Sequence, residues 1–420
     1  MNDSDATTTC LVAGGGPAGM MLALLLARAG VDVTVMEKHA DFLRDFRGDT
    51  VHASTLRLLD ELGLGQKFAA LPHRMVEGVN AKIQDTTLNI DLSGLPGPHK
   101  HIALVPQWDF LELLATAAQA EPTFRLLRST EVLGLVRSGG QERSDSGGGG
   151  GGKVTGVRYR DADGVEKQMH AHLTVACDGR SSTLRADAGL ETRNFGAPMD
   201  VWWFRLPRHA DDPRGLNGVF QFGHGCALID RGDYFQIAYL IRKGADATMR
   251  EEGIDSLRRE LTELVPWLAD RVDQLVSFDD VKLLDVQLNR LPRWYADGLL
   301  LIGDAAHAMS PIGGVGINLA VADAVAAARI LAGPLRSRSV TTRRLAAVQA
   351  RRWLPAAIIQ RVQRTVQDRA IATAIGTAEG LREAPRAVQL ANRFPALRAV
   401  AAYGVAIGPL PEHAPAFARR

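Results

Sequence analysis

The chain has 420 residues, 46% hydrophobic and 23% charged, with a formal net charge of +2. That length supplies a sizeable core and suggests two or three domains, and the composition excludes wholesale disorder. Three scattered cysteines, Cys10, Cys177 and Cys226, exclude a disulfide framework and any C-x-x-C metal or redox site, so no metal is expected.

The opening MNDSDATTTC lacks the basic and apolar stretches of a signal peptide. Residues 8–13 read as a short buried strand, GGGPAG as a turn, and MMLALLLARAG as a helix apolar on every side, with Gly30 placed to end it. VDVTVM (31–36) is a second, β-branched strand. Residues 54–64 and 108–120 repeat their apolar positions at helical period. Six glycines in a row, 147–152, lie between EVLGLV and KVTGVRYR, which reads as an overgrown hairpin loop. DVWWFRL, GVFQF, CALID and YFQIAYLI, between 200 and 241, predict an antiparallel sheet. After 317 the chain turns Ala-rich and helical, with interruptions expected at Pro334, Pro355 and Pro385.

The net charge hides an asymmetry. Residues 334–420 hold fifteen Arg, no Lys and four acidic residues, a net of +11 against −9 for the rest. These arginines are spread among apolar residues, which reads as helices with a solvated basic face; a surface that docks to anionic lipid or a partner is the alternative, and no nucleic-acid signature accompanies the charge. No apolar stretch of roughly 18 residues is free of charges and Gly/Pro breaks, so no integral membrane segment is expected. A cytoplasmic protein is the default.

Gly14-x-Gly16-x-x-Gly19, with Pro17 and Ala18 between, follows a strand and opens a helix. The first glycine permits the turn, the second lets backbone approach a pyrophosphate, and the third brings helix and strand together. The helix N-terminus then offers free N–H groups to phosphate. Glu37, followed by Lys38, ends the next strand, where a carboxylate can accept from ribose hydroxyls. The pattern does not separate FAD from NAD, although Glu37 would repel a 2′-phosphate. Farther along, GLLLIGD (298–304) ends an apolar strand on Asp304. An unpaired carboxylate there is costly unless it binds a polyol. Gly313, Gly314 and Gly316 then open a helix whose N–H groups can face an electron-rich ring edge.

With these residues in view, the chain resembles the FAD-dependent monooxygenases of the para-hydroxybenzoate hydroxylase type, the group A flavoprotein monooxygenases. The second family motif runs from Gly303 through His307, Pro311, Gly314 and Gly316 to Asn318, and a third, VACDGRSSTLR, holds Asp178 and Gly179. The resemblance implies FAD as cofactor, NADPH or NADH as co-substrate and molecular oxygen as oxidant. It also implies hydroxylation of an aromatic or polyketide-like small molecule through a flavin C4a-hydroperoxide.

The resemblance assigns FAD to Gly14, Gly16, Pro17, Ala18, Gly19, Glu37, Lys38, Arg47, Gln107, Val132, Asp178, Asp304, Gly316, Ile317 and Asn318. Pro311, Gly314 and Val315 would shape the reaction space beside the flavin. His307 would support the loop rather than react. Trp202, Phe204, Phe222 and Tyr234 are the expected substrate contacts, although strand alternation leaves the cavity face of the sheet open and puts Trp203 opposite Trp202. Arg44 and Arg47 would favour NADPH. The same motifs also serve flavoproteins that dehydrogenate or reduce without inserting oxygen.

The expected architecture is mixed α/β. A Rossmann-like FAD-binding domain would comprise residues 1–72, 101–190 and 280–345. An antiparallel substrate domain would take 73–100 and 191–279, with C-terminal helices at 346–420 closing over the FAD domain or meeting in a homodimer.

Overall fold

Every residue from Ala18 to Ala27 is buried, which is why the first helix is apolar all round. In a computed structural model, which describes residues 6–43, 50–139, 152–221, 223–371, 375 and 386–420, this helix lies inside a sheet-and-helix layer. Strand β1 (Ala6–Ala13), helix α1 (Pro17–Arg28) and β2 (Val33–Met36) form the opening unit. Gly30, at φ +75°, ends the helix as the sequence predicts.

Next come α2 (Ala53–Glu61), the antiparallel pair β3 (Gly78–Ile83) and β4 (Thr86–Asp91), and α3 (Gln107–Gln119). Strands β5 (Phe124–Leu127), β6 (Glu131–Arg137), β7 (Val154–Arg160) and β8 (Glu166–Ala176) follow. Strands β6 and β7 pair antiparallel and flank the loop that holds the glycine run, residues 140–151 of which lie outside the described residues. The first sheet is mostly parallel: β1 sits between β8 and β2, β2 pairs with β5, and β8 pairs with β14 (Leu299–Leu301). Val, Leu and Ala fill these strands because both faces are covered, one by α1, α3 and α5 and the other largely by Leu135, Val154, Val157 and Tyr159 of β6 and β7.

The second sheet carries β9 (Met199–Pro207), β10 (Leu216–Gln221), β11 (His224–Asp230) and β12 (Tyr234–Arg242). Its order is β13-β9-β12-β11-β10-β3-β4, antiparallel throughout except where β10 meets β3. Strand β13 (Lys282–Leu284) belongs here, two residues past the expected boundary at 280, because its backbone pairs with β9. Helix α4 (Ile254–Leu264) buries Leu257, Leu261 and Leu264 against one face of this sheet, leaving the other toward the first layer.

The C-terminal part comprises α5 (Gly316–Arg336), α6 (Thr342–Val366), α7 (Arg386–Arg393) and α8 (Pro395–Ala406). Two of the expected interruptions do not occur: Pro334 and Pro355 both lie inside helices. Pro334 falls in the last turn of α5. Pro355 is buried, and Arg352, Gln360 and Gln363, fastened on either side of it, carry α6 across the lost hydrogen bond. Pro385 lies outside the described residues. Helix α5 is long and apolar enough to cross a membrane, but it packs on α1 and α6 as a core helix.

Candidate active site

The C-terminal ends of β1, β8 and β14 face a cavity of 1730 Å³ that extends to the second sheet. Above β1 the glycine turn is built as its spacing requires. Gly14 has φ +101°, and a Cβ there would lie 2.5 Å from the Cys177 carbonyl oxygen. A Cβ on Gly19 would lie 2.0 Å from the Gly14 oxygen, whereas one on Gly16 would meet nothing within 4 Å. Gly16 caps α1 with no side-chain partner, and Gly14, Gly16, Pro17 and Ala18 line the cavity. The first-turn N–H groups of α1 therefore point into open space, as an anion site needs.

Glu37, only 2% exposed, ends β2 on the same cavity, and its carboxylate accepts from Gly15 N–H (2.8 Å) and His39 N–H (3.1 Å). Lys38, Gln107 and Val132 line this part too. Asp178 follows β8. One of its oxygens accepts from Leu184 N–H at 3.1 Å, while the other is buried with no partner among the described residues. Burial raises the Asp178 pKa despite hydrogen bonds from Ser182 and Leu184. Asp304 follows β14 and meets Arg180 at 3.3 Å. An open cradle, an orphaned carboxylate oxygen and two cavity-facing carboxylates at strand ends fit a bound dinucleotide.

Pro311, Gly314, Gly316 and Ile317 form the next stretch of wall. Gly314 has φ +61° and leaves 2.3 Å between a notional Cβ and Thr50 Oγ1, so Thr50 can donate to the Gly314 carbonyl at 2.6 Å. Asn318 was expected to touch FAD, but its side chain points behind the loop. Its oxygen accepts from His52 N–H and Thr55 Oγ1, and its nitrogen donates to the Thr50 and Gly314 carbonyls. Its side chain positions the loop. Val315 likewise turns away from the cavity, into a cluster with Met309, Leu319 and Ile359. The helical geometry from Val315 onward rotates both side chains to the buried face of α5.

His307 supports the loop. Its Nε2 lies 2.6 Å from Asp323, which also accepts from Gly303 N–H (3.1 Å) and Arg352 Nε (3.0 Å). Burial would raise the Asp323 pKa, but His307 and Arg352 hold it below its ordinary value. Arg352 is 1% exposed and lies 3.7 Å from Glu412, so the end of the chain reaches the Asp304 turn through three side chains. Sequence reasoning missed Asp323, Arg352 and Glu412. The available signal was a lone acid in the apolar run AVADAVAAA. His52, also missed, is held at 2.7 Å from the Val405 carbonyl, and burial pushes its pKa down to about 4.

The aromatic assignments need correction. Trp202 and Phe204 lie on the face covered by α4, where Trp202 donates to Asp246 at 2.6 Å and stacks on Tyr239. Strand alternation instead directs Trp203 to the cavity, beside Ala238 and Leu240. Tyr234 starts β12 on the cavity side, but its ring lies under the Arg205 guanidinium, 4.8 Å away, outside the cavity wall. Phe222, Arg44 and Arg47 lie outside the described residues. Arg231, whose Nε and Nη2 donate to Gln236 Oε1 at 2.9 and 2.7 Å, is the one charged side chain that the second sheet and its turns bring to the cavity among the described residues.

A dinucleotide cradle under a parallel sheet, a glycine loop opening a helix beside it, and an apolar antiparallel sheet across the cavity define a flavin-dependent hydroxylase architecture. The profile of the FAD binding domain family matches residues 7–362, and the chain belongs to the FAD-dependent monooxygenases of group A. The 6-methylpretetramide 4-monooxygenase of Streptomyces rimosus is 37% identical over 403 residues, covering 95% of this chain and 92% of its own. A 12-dehydrotetracycline 5-monooxygenase/anhydrotetracycline 6-monooxygenase from Streptomyces rimosus subsp. rimosus is 30% identical over 335 residues, or 75% of this chain and 60% of its own. Among solved structures, the anhydrotetracycline hydroxylase OxyS from Streptomyces rimosus shares the fold, with a TM-score of 0.71 and 24% identity over 95% of this chain and 76% of its own. PqsL from Pseudomonas aeruginosa does so as well, at 0.71 and 21% over 86% and 96%.

Proposed function

We propose that this FAD-dependent monooxygenase uses NAD(P)H and molecular oxygen to hydroxylate an aromatic polyketide. The observation that carries the reading is the single cavity joining the nucleotide cradle to the apolar sheet, at 1730 Å³ larger than the roughly 300–1,000 Å³ that one small ligand takes. The names of the relatives at 37% and 30% identity support the substrate class.

FAD, when bound, supplies the redox chemistry that takes a hydride from NAD(P)H and activates oxygen. The chain's residues bind and orient it. Backbone N–H groups at Gly16 and Ala18 would hold the pyrophosphate, Glu37 the ribose, Asp304 the ribityl chain, and Asp178 a donor for its orphaned oxygen. Thr50 and Asn318 fix the carbonyl of Gly314, so that the N-terminus of α5 would meet a bound flavin already ordered. Trp203, Leu240, Val366 and Val405 line the cavity and exclude water from the reacting carbon. Arg231, on the substrate side, would hold an ionised phenol or enol oxygen, the form that reacts most readily.

NADPH is the preferred reductant in this reading, through Arg44 and Arg47. The test follows NADPH and NADH oxidation in air by FAD-loaded protein, with and without polyketide phenols. A stimulated rate with a product one oxygen atom heavier supports the reading. Stimulation with an unaltered product mass would favour a flavoprotein that does not insert oxygen.

A further inference from the structure

The strand registers align the cavity-facing residues of the second sheet into rows. One row runs Trp203–Ala238–Ala227–Gly218–Ala81–Leu88 across β9, β12, β11, β10, β3 and β4. Its four inner positions, on four neighbouring strands, carry nothing larger than a methyl group. At about 4.8 Å per strand they extend for roughly 14 Å. All six residues line the cavity.

Larger side chains flank this row, Gln236, Ile229 and Leu216 on one side and Leu240 and Phe220 on the other. Phe220 does not stand up from the sheet. A Cβ on Gly218 would come within 3.0 Å of its ring and one on Gly225 within 2.8 Å, so the ring rests on two glycines. The result is a flat apolar platform with an aromatic plate set into it, a Trp at one end and the Arg231–Gln236 pair at its edge.

We propose that this platform seats a flat, fused-ring phenol or enol, and that Gly218, Gly225, Ala227 and Ala238 admit the additional rings. This rests on the hydroxylase reading and deepens it, from an aromatic polyketide to residues of this chain that set how many fused rings are admitted. A single ring would leave most of the platform wet, whereas a fused polycycle covers it and stacks on Phe220. Arg231 at the edge suits an acidic oxygen on the ligand's rim.

The test uses FAD-loaded protein titrated with phenol, 2-naphthol and 1,8-dihydroxyanthraquinone, with affinity read from tryptophan fluorescence quenching. Wild-type affinity should rise with ring count, by about tenfold or more from phenol to the tricycle. Ala227→Leu should weaken the tricycle by about tenfold while phenol changes by less than about twofold. Gly218→Ala, which lifts the Phe220 ring, should act in the same direction and carries the test if Ala227→Leu loses FAD or melts early. Equal wild-type affinities, or variants that weaken all three ligands alike, would overturn the proposal. If the tricycle binds as described but gains no oxygen with NADPH in air, the proposed hydroxylation fails and the platform stands. Hydroxylation without dependence on ring count would sink the platform alone.

Discussion

The two walls of the cavity are made of different materials. The nucleotide wall consists of backbone N–H groups, positive-φ glycines and carboxylates at strand ends, and behind it lies a buried ionic network. The sheet wall is mostly apolar, with residues that run from glycine to tryptophan and the Arg231–Gln236 pair at its edge. The first recognises by hydrogen-bond geometry and tolerates almost no substitution. The second, in the proposed reading, would recognise by shape, so it could be remodelled without disturbing the cofactor. An enzyme arranged this way can keep its redox chemistry while changing its substrate.

The sharpest way to break that contrast is behind the nucleotide wall. Asp323→Ala leaves Arg352 and His307 buried without their shared acceptor, and should cost about 3–5 kcal/mol, read as a fall in Tm and in retained FAD. An unchanged Tm would show that the network carries no stability.

Acid should loosen the same wall. His52 stays neutral in the fold down to about pH 4, while the unfolded chain takes up its proton near 6.5. Between those values the unfolded state binds more protons, so stability falls as pH falls, by up to about 3 kcal/mol. His52→Gln should flatten that part of the pH–stability curve, and urea unfolding at pH 7 and pH 4.5 measures the difference between the two proteins.

In the cradle itself, Gly14→Val drives a Cβ into the Cys177 carbonyl at a positive φ. FAD affinity should drop by about 100-fold, or about 2.7 kcal/mol, measured by equilibrium dialysis. The smallest effect separates the two faces of the second sheet. Trp203→Ala should raise the substrate KM about tenfold with FAD content intact, whereas Trp202→Phe should lower Tm and leave KM alone. The reverse result would put the substrate on the α4 side.

The sequence announces the nucleotide wall because its chemistry requires particular residue types at particular spacings. Gly14, Gly16, Glu37 and Asp304 could each be singled out by what a phosphate or polyol demands, and Asp178 by the family motif that holds it. The substrate wall carries no such signature. Trp202 and Trp203 are adjacent and chemically identical, and only the position of α4, some fifty residues later, decides which one faces the cavity. The His307–Asp323–Arg352–Glu412 chain was hidden for another reason. Its members are brought together by helix packing over more than a hundred residues, and no local pattern encodes that meeting. Asn318 misled because a motif records which residue is needed and not whether its side chain faces the ligand or the loop behind it.

The fastening of Val405 onto His52 and of Glu412 onto Arg352 has a consequence for biogenesis. Domains form from the N-terminus during synthesis, at roughly 5–20 residues per second. The opening strand–helix–strand unit emerges early, but His52 meets the Val405 carbonyl 353 residues further along, and Arg352 meets Glu412, only once the C-terminal helices have been made. A nascent chain that lacks those helices therefore presents an unlatched pocket to the flavin.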